Sequence, residues 1–182
     1  FLVAPNAFKG TFTALEAVTM LEEVLAQEYP AATYLSQAVA DGGDGTCELL
    51  IASIGLKKVC CSSLNAIGRP ILGFYGWEES SKTAYLDVST CSGIGILKPQ
   101  NRKPSLTSTF GTGILIQEAL NRGAEQVVLG LGGSATVDIG AGILQAMGFL
   151  FLDEHGRELP AFSPDFLKRS KHIQRPLKLP DI

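Results

Sequence analysis

Apolar positions follow two different periods along this chain, and the switch between them divides it. Residues 1–4, Phe-Leu-Val-Ala, are a short apolar run that predicts a strand. Thr13-Ala14-Leu15-Glu16 then has the spacing of a capping box, in which Glu16 reaches back to the cap N–H. Leu15, Val18, Leu21, Val24 and Leu25 recur at helical spacing until Pro30, predicting a helix with one apolar face. Residues 34–39 read as the next strand, 41–45 as a glycine-rich loop, and 46–54 as a helix stopped by Gly55. This β-α-β-α order opens a parallel, doubly wound sheet of the Rossmann or flavodoxin-like kind.

After Gly55 the rhythm changes to strands. Residues 57–64, 70–77 and 82–88 are three strand-like runs, with turn residues at 65–69 and 78–81, and predict an antiparallel meander. From Ser105 the order is again helix then strand: a helix over 113–121 stopped by Gly123, then a strand over 126–129. A glycine-rich turn leads into helical residues 143–147, followed by a strand over 149–153 and a turn at Glu154-His155-Gly156. The expectation is an α/β protein in two parts: residues 1–56 begin a partial Rossmann-like domain, and residues 57–182 form a second α/β domain that carries the meander. The last twenty residues, with their prolines and the cations Lys168, Arg169, Lys171, Arg175 and Lys178, read as a charged surface helix plus an extended connector.

Composition narrows the function classes. The 182 residues are 46% hydrophobic and 18% charged with net charge −3, an ordinary globular balance that lacks the basic face nucleic acid requires. The longest apolar runs are broken by glycine, so no membrane span is expected, and no leader pattern opens the chain, although it begins abruptly within a strand. Cys47, Cys60, Cys61 and Cys91 form no C-x-x-C pair, and with only His155 and His172 they read as reduced thiols of a cytoplasmic protein, not a zinc site.

Candidate chemistry sits at three strand-to-helix junctions. The richest is Gly130-Leu131-Gly132-Gly133-Ser134-Ala135-Thr136-Val137-Asp138. Glycines let backbone approach an anion, and unpaired N–H groups at the following helix start point at it. Asp138 stands where a carboxylate could hold Mg²⁺, take a proton from a substrate hydroxyl, or only stabilise a helix end. Ser134 and Thr136 could bind phosphate or cap the helix. The second junction, Asp41-Gly42-Gly43-Asp44-Gly45, offers two carboxylates to a Mg²⁺ or to substrate hydroxyls, while Asp-Gly pairs also simply make turns. The first junction carries Lys9, a cation for a phosphate or carboxylate or a solvated loop lysine. Junctions of this kind converge at the carboxyl edge of a parallel sheet or between two lobes, where α/β proteins bind ligands.

Together the three segments Ala4-Pro5-Asn6-Ala7-Phe8-Lys9-Gly10-Thr11, Val39-Ala40-Asp41-Gly42-Gly43-Asp44-Gly45-Thr46 and Gly132-Gly133-Ser134-Ala135-Thr136-Val137-Asp138 resemble the glycerate kinase family of the two-domain bacterial type. That family usually reads close to A-P-D-S-F-K-G-S, V-A-D-G-G-E-G-T and G-G-S-A-T-N-D-G-G-A-G, and the resemblance extends from Phe1 to about Leu159. It implies ATP-dependent phosphorylation of D-glycerate, the 2-phosphate favoured, with Mg²⁺. Asp138, Lys9 and Asp41 are then the catalytic candidates, and Asp41 and Asp44 the metal ligands. Gly132, Gly133, Ser134 and Thr136 would bind phosphate or substrate, with Ser92, Arg102 and Thr109 as weaker contacts. On this reading Asp138→Asn slows turnover without unfolding the chain. The partners are small molecules, with no nucleic acid and no membrane, and a homo-oligomer is left open.

The resemblance also implies a chain about twice as long, whose second half returns to complete the first domain. Stopping at Pro180-Asp181-Ile182 is therefore expected to leave the sheet and the cleft short of partners, and the fragment alone inactive. Four departures bear on activity: Asn6 stands for the family's Asp, Ala7 for Ser, Val137 for Asn and Ile139 for Gly, while Asp44 keeps the charge of the usual Glu. These favour the competing reading, a non-catalytic ligand-binding paralogue. An oxidoreductase suffers from the lack of a G-x-G-x-x-G with a following acid, and no P-loop element is present.

Overall fold

The computed structural model describes residues 1–178; Pro180, Asp181 and Ile182, where the extended ending was read, lie outside the described residues. Strand β1 (Leu2–Val3) pairs in parallel with β2 (Leu35–Ser36) on either side of helix α1 (Ala14–Glu28), which is the expected β-α-β opening. β2 is shorter than the run 34–39, because its partner has only two residues of ladder to offer. Beyond it Gln37 and Val39 still donate to the carbonyls of Val3 and Pro5, at 2.9 and 3.0 Å. The capping box forms as read: the Thr13 hydroxyl accepts from the Glu16 N–H at 3.2 Å, and the Glu16 carboxylate accepts from the Thr13 N–H at 2.7 Å.

The apolar stripe of α1 does not become core. Ala14 and Ala17 are buried, while Leu15, Leu21 and Val24 are exposed. The helix meets its neighbours through its small residues, Ala14 against Ala38 and Leu49, and among the described residues nothing covers the larger ones.

Helix α2 (Thr46–Ile54) closes on Gly55, whose φ of +70° lets its N–H return to the carbonyl of Ile51. The meander follows as β3 (Lys57–Leu64), β4 (Pro70–Glu78) and β5 (Thr83–Asp87), all antiparallel. A fourth strand, β6 (Gln126–Gly130), adds in parallel beside β5, so the sheet is mixed, in the order β3-β4-β5-β6.

Between β5 and β6 run the short helix α3 (Ser89–Ser92), two 3₁₀ turns and helix α4 (Phe110–Asn121). Helices cover both faces of the sheet, α3 and α4 on one and α2 on the other. Leu115 of α4 and Cys91 of α3 press on Gly73, while Ile51 of α2 and Leu56 press on Gly76, three residues along β4 and so on the opposite face. The main core lies under α4 and includes Tyr75, Trp77, Leu86, Leu115 and Ala119.

Helix α4 begins at Phe110 rather than Gly113, because residues distant in sequence cap it, as the site below shows. The chain then forms α5 (Ala141–Ala146), β7 (Leu150–Leu152), α6 (Phe166–Arg169) and β8 (His172–Gln174). β8 corrects the expected connector: His172 to Gln174 pair antiparallel with β7, and α6 packs Phe166 on Phe151 with ring centroids 5.1 Å apart.

The turn after β7 is organised by Asp153, whose carboxylate accepts from the N–H groups of His155 at 2.8 Å and Arg157 at 3.0 Å and from the Arg157 guanidinium at 2.8 Å. The Arg157 N–H, first among these donors, holds its pKa at about 2 against an ordinary 3.8. A carboxyl depressed in the folded state stabilises the fold above its unfolded pKa and loses that contribution as pH falls through the folded one. The denaturation midpoint should therefore decline between pH 3.8 and about 2, and Asp153→Asn should flatten that part of the profile.

Candidate functional site

Two glycine loops meet backbone to backbone at the carboxyl ends of the strands. The Gly132 N–H donates to the carbonyl of Gly42 at 2.7 Å, and a Cβ at Gly132 would lie 2.6 Å from the Gly43 Cα. No other residue type fits that approach. The contact brings the second and third junctions of the sequence reading together. Asp44 lies directly against Gly133, where an added Cβ would also meet the Ser89 side chain at 3.0 Å. Asp41 turns one oxygen back to the Gly43 N–H at 3.0 Å. Both aspartates are exposed, and among the described residues Asp44 has no hydrogen-bond partner.

The first junction folds as a tight hairpin. Phe8 and Phe12 exchange backbone bonds of 2.9 and 3.1 Å and set their rings edge to face, which leaves Lys9 exposed near the tip. A cavity of about 540 Å³ lies between this hairpin and the second loop, and Lys9, Asp41 and Asp44 all line it. Ser134 and Thr136 stand outside it. Their hydroxyls are 2.8 Å apart, and Ser134 is bridged to Gly93 just after α3. Asp44 and Gly133 connect the two places.

Asp138 is buried, and donors surround its carboxylate. It accepts from the Thr109 N–H at 2.7 Å, the Thr109 hydroxyl at 2.9 Å and the Gly142 N–H at 3.1 Å, with Ser108 Oγ at 3.4 Å. One side chain thus ties the start of α4 to the start of α5. A Cβ at Gly142 would strike Ser108 Oγ at 2.3 Å, so the two helix starts are as close as backbone allows. Asp138 is thus a clamp between two helix starts through Oδ2, while Oδ1 meets only the Gly140 N–H, at 3.3 Å.

Of the weaker candidates, Thr109 belongs to this clamp. Ser92 is fully buried, its hydroxyl 2.9 Å from that of Thr112, and Arg102 lies on the surface with Nε donating to the Leu97 carbonyl at 3.1 Å. None of the three lines the cavity.

A second clamp escaped the sequence reading. Asp87, at the end of β5 and 1% exposed, accepts from the Cys47 N–H at 2.9 Å, Ser89 Oγ at 2.8 Å, the Thr90 N–H at 2.8 Å and Thr90 Oγ1 at 2.6 Å. It joins the first turn of α2 to α3, and so holds the loop bearing Asp41 and Asp44 over Ser89. An acid closing a strand with Ser and Thr two and three residues on was the available signal. Beside it, burial and then the Asp87 charge push the Cys47 thiol up to about 12, so it remains a neutral donor to the Tyr85 carbonyl at 3.1 Å.

Among the described residues no group of three or more His, Cys, Asp or Glu side chains is placed to enclose a metal. Two outward carboxylates on one loop do match what Mg²⁺ takes when substrate phosphates and water complete its shell.

Comparison with known proteins agrees with this architecture. Residues 1–178 match the family model described as the glycerate kinase family. A glycerate kinase of Haemophilus influenzae is 38% identical over 159 residues, covering 87% of this chain and 42% of that protein. A glycerate 2-kinase of Escherichia coli is 35% identical over 87% of this chain and 42% of its own length. A crystal structure of a presumed glycerate kinase 2 from Salmonella typhimurium LT2 superposes with a TM-score of 0.76 at 32% identity, covering 99% of this chain and 47% of that one. The chain thus spans about two fifths of the length of the curated relatives it matches.

The geometry changes what Asp138→Asn should do. Bonds to a charged acceptor are worth about 1.5–3 kcal/mol each, so the amide should lower unfolding free energy by about 2–3 kcal/mol, read from chemical denaturation, while the chain still folds. Ile139 gives the opposite case: it is 89% exposed and held at φ +50°, a region costly for a β-branched residue. Ile139→Gly should raise stability by about 0.5–1 kcal/mol in the same measurement, the strain relieved exceeding the added chain entropy.

Proposed function

The chain belongs to the glycerate kinase family, and from that premise we propose that the intact protein transfers the γ-phosphoryl group of ATP to D-glycerate, forming a phosphoglycerate and ADP. The observation that carries the proposal is the meeting of the three junctions: Lys9, Asp41 and Asp44 line one cavity, and Asp44 abuts the glycine loop of Ser134. Phosphoryl transfer asks a protein mainly to position its substrates and neutralise charge, which such a convergence supplies.

In this reading a glycerate hydroxyl oxygen forms the new bond to phosphorus as the bond to the ADP oxygen breaks. Asp44, free of protein donors, accepts the hydroxyl proton, the role first considered for Asp138. Lys9 supplies positive charge to the phosphates. Ser134 and Thr136 offer paired hydroxyls, 2.8 Å apart, to the acceptor or the transferred group. Asp41 would hold Mg²⁺, which when bound neutralises charge on the phosphates, so that Asp44 stays available for the proton. The 2-phosphate as product rests on the family resemblance, a cytoplasmic location on cysteines that form no C-x-x-C pair, and a division of the chain into two domains near residue 56 on the switch from β-α alternation to consecutive strands. For that division, β1 and β2 pair apart from the mixed sheet, while α2 packs on β4 and β5 and would act as the joint.

The second reading is a ligand-binding paralogue without turnover. Ile139 favours it, an apolar residue strained at a position where the family usually has glycine. A coupled ADP-release assay with glycerate on the intact gene product separates the two. Turnover is expected, with Asp44→Asn lowering kcat by about 10²–10⁴-fold while Asp41→Asn mainly raises the Mg²⁺ concentration required. Absence of any glycerate-dependent ADP release would leave the paralogue.

A further inference from the structure

A second cavity, of about 280 Å³, shares no lining residue with the one beside Lys9. It lies between the 3₁₀ turn Pro104–Leu106 and α6, on the flank of the Asp138 clamp. Pro104, Val137, Phe166 and Leu167 give it apolar walls, and Val137 and Leu167 are exposed. Asp165 closes one side. Its φ of +51° is uncommon outside glycine, its N–H donates to the Ser105 carbonyl at 3.3 Å, and its carboxylate lies 3.3 Å from Lys168 Nζ.

The charges on this lining are unequal. Lys168 is neutralised by Asp165 at the rim, whereas the buried Asp138 has no ion-pair partner among the described residues. Its Oδ2 is occupied by Thr109 and Gly142, but Oδ1 holds only the long bond of 3.3 Å from the Gly140 N–H. That length is beyond the usual range for N–H···O bonds, so Oδ1 keeps acceptor capacity. Thr107 directs its hydroxyl proton to the carbonyls of Ala135 and Pro104, at 2.9 and 3.1 Å, and so has only lone pairs left to offer. An entering anion meets the Asp138 charge, and a neutral hydrocarbon leaves Oδ1 as it is. An ammonium group brings both the absent charge and three donors.

We propose that this cavity binds a small primary ammonium compound with a short apolar body. The ammonium donates to Asp138 Oδ1, and the body packs on Val137, Phe166 and Leu167. The volume falls just under that of pockets for drug-sized ligands, which suits a body of about four to six carbons. The ligand is a free amine or an amino acid whose carboxylate reaches Lys168; an ammonium on an apolar stem is common to both. Neither glycerate nor a nucleotide phosphate has that chemistry, so the site stands apart from the proposed reaction and its occupancy requires no turnover.

The test is calorimetric titration of the intact gene product with three probes of similar size: 3-methylbutylamine, 3-methylbutanoate and leucine. The amine should bind saturably, one per chain, and at least about tenfold more tightly than the carboxylate. Leucine binding more tightly than the amine assigns the site to amino acids, and weaker leucine binding assigns it to free amines; either result upholds an ammonium site. Asp138→Asn should abolish the preference for amine over carboxylate. Because that change also loosens the clamp, Leu167→Ala supplies a second reading on an exposed side chain. It should weaken amine binding by about fivefold without altering the melting temperature. Equal binding of amine and carboxylate, no saturable binding of amine or leucine, or undiminished amine binding in Asp138→Asn would overturn the proposal. Glycerate-dependent ADP release by the same preparation reports on the kinase reading separately, so either can fail while the other holds.

Discussion

The backbone contact between Gly132 and Gly42 is the constraint on which the site depends. At a hydrogen bond of 2.7 Å it sets two loops closer than any side chain permits. One loop leads into α2, which covers a face of the mixed sheet; the other leaves β6, the sheet's edge strand. Once they touch, Asp44 must lie over Gly133 and Ser89, and Asp41 must face the hairpin of Lys9. Three junctions that are far apart in sequence thereby share one neighbourhood.

Two buried aspartates make that contact rigid, by the same physical means. Helix starts carry N–H groups without intrahelical partners, and a carboxylate placed at two starts satisfies both ends at once. Asp87 serves α2 and α3; Asp138 serves α4 and α5. Neither has a cationic partner, and each is compensated by donors in its place, which is how a charge survives burial. Both carboxylates hold the helices that shape the site, whereas Asp41 and Asp44 are exposed and line the cavity.

Helix α1 and the parallel pair keep large apolar side chains uncovered. Leu15, Leu21, Val24 and Met20 of α1, with Leu2 and Leu35 of the parallel pair, are exposed, an apolar area of the kind that ordinarily marks an interface. The parallel pair itself has two strands, too few to stand as an independent sheet. Both facts accord with a chain that spans about two fifths of the length of its curated relatives.

The sequence by itself determined whatever depends on neighbours a few residues away. The Thr13 capping box, the stop of α2 at Gly55 and the three strands of the meander are local matters of capping, left-handed φ and period-two alternation, and each formed where it was read. Lys9, Asp41, Asp44 and Ser134 were marked as candidates by the same local means, because glycine-rich junctions betray themselves in composition. Tertiary structure decided the rest. Periodicity marked Leu15 and Val24 as apolar but could not say whether anything would cover them. The start of α4 came from Asp138, twenty-eight residues beyond Phe110, a cap no local window contains. Strand β8 formed only because β7 had an edge to offer it. Asp87 drew no reading from the sequence, and only the fold gathers four donors round it, while Asp138, read as a candidate base, is also found to tie two helix starts together. Whether a carboxylate reacts or only holds helices is settled by which donors the fold delivers to it, and that depends on packing between segments, to which no local pattern in a sequence has access.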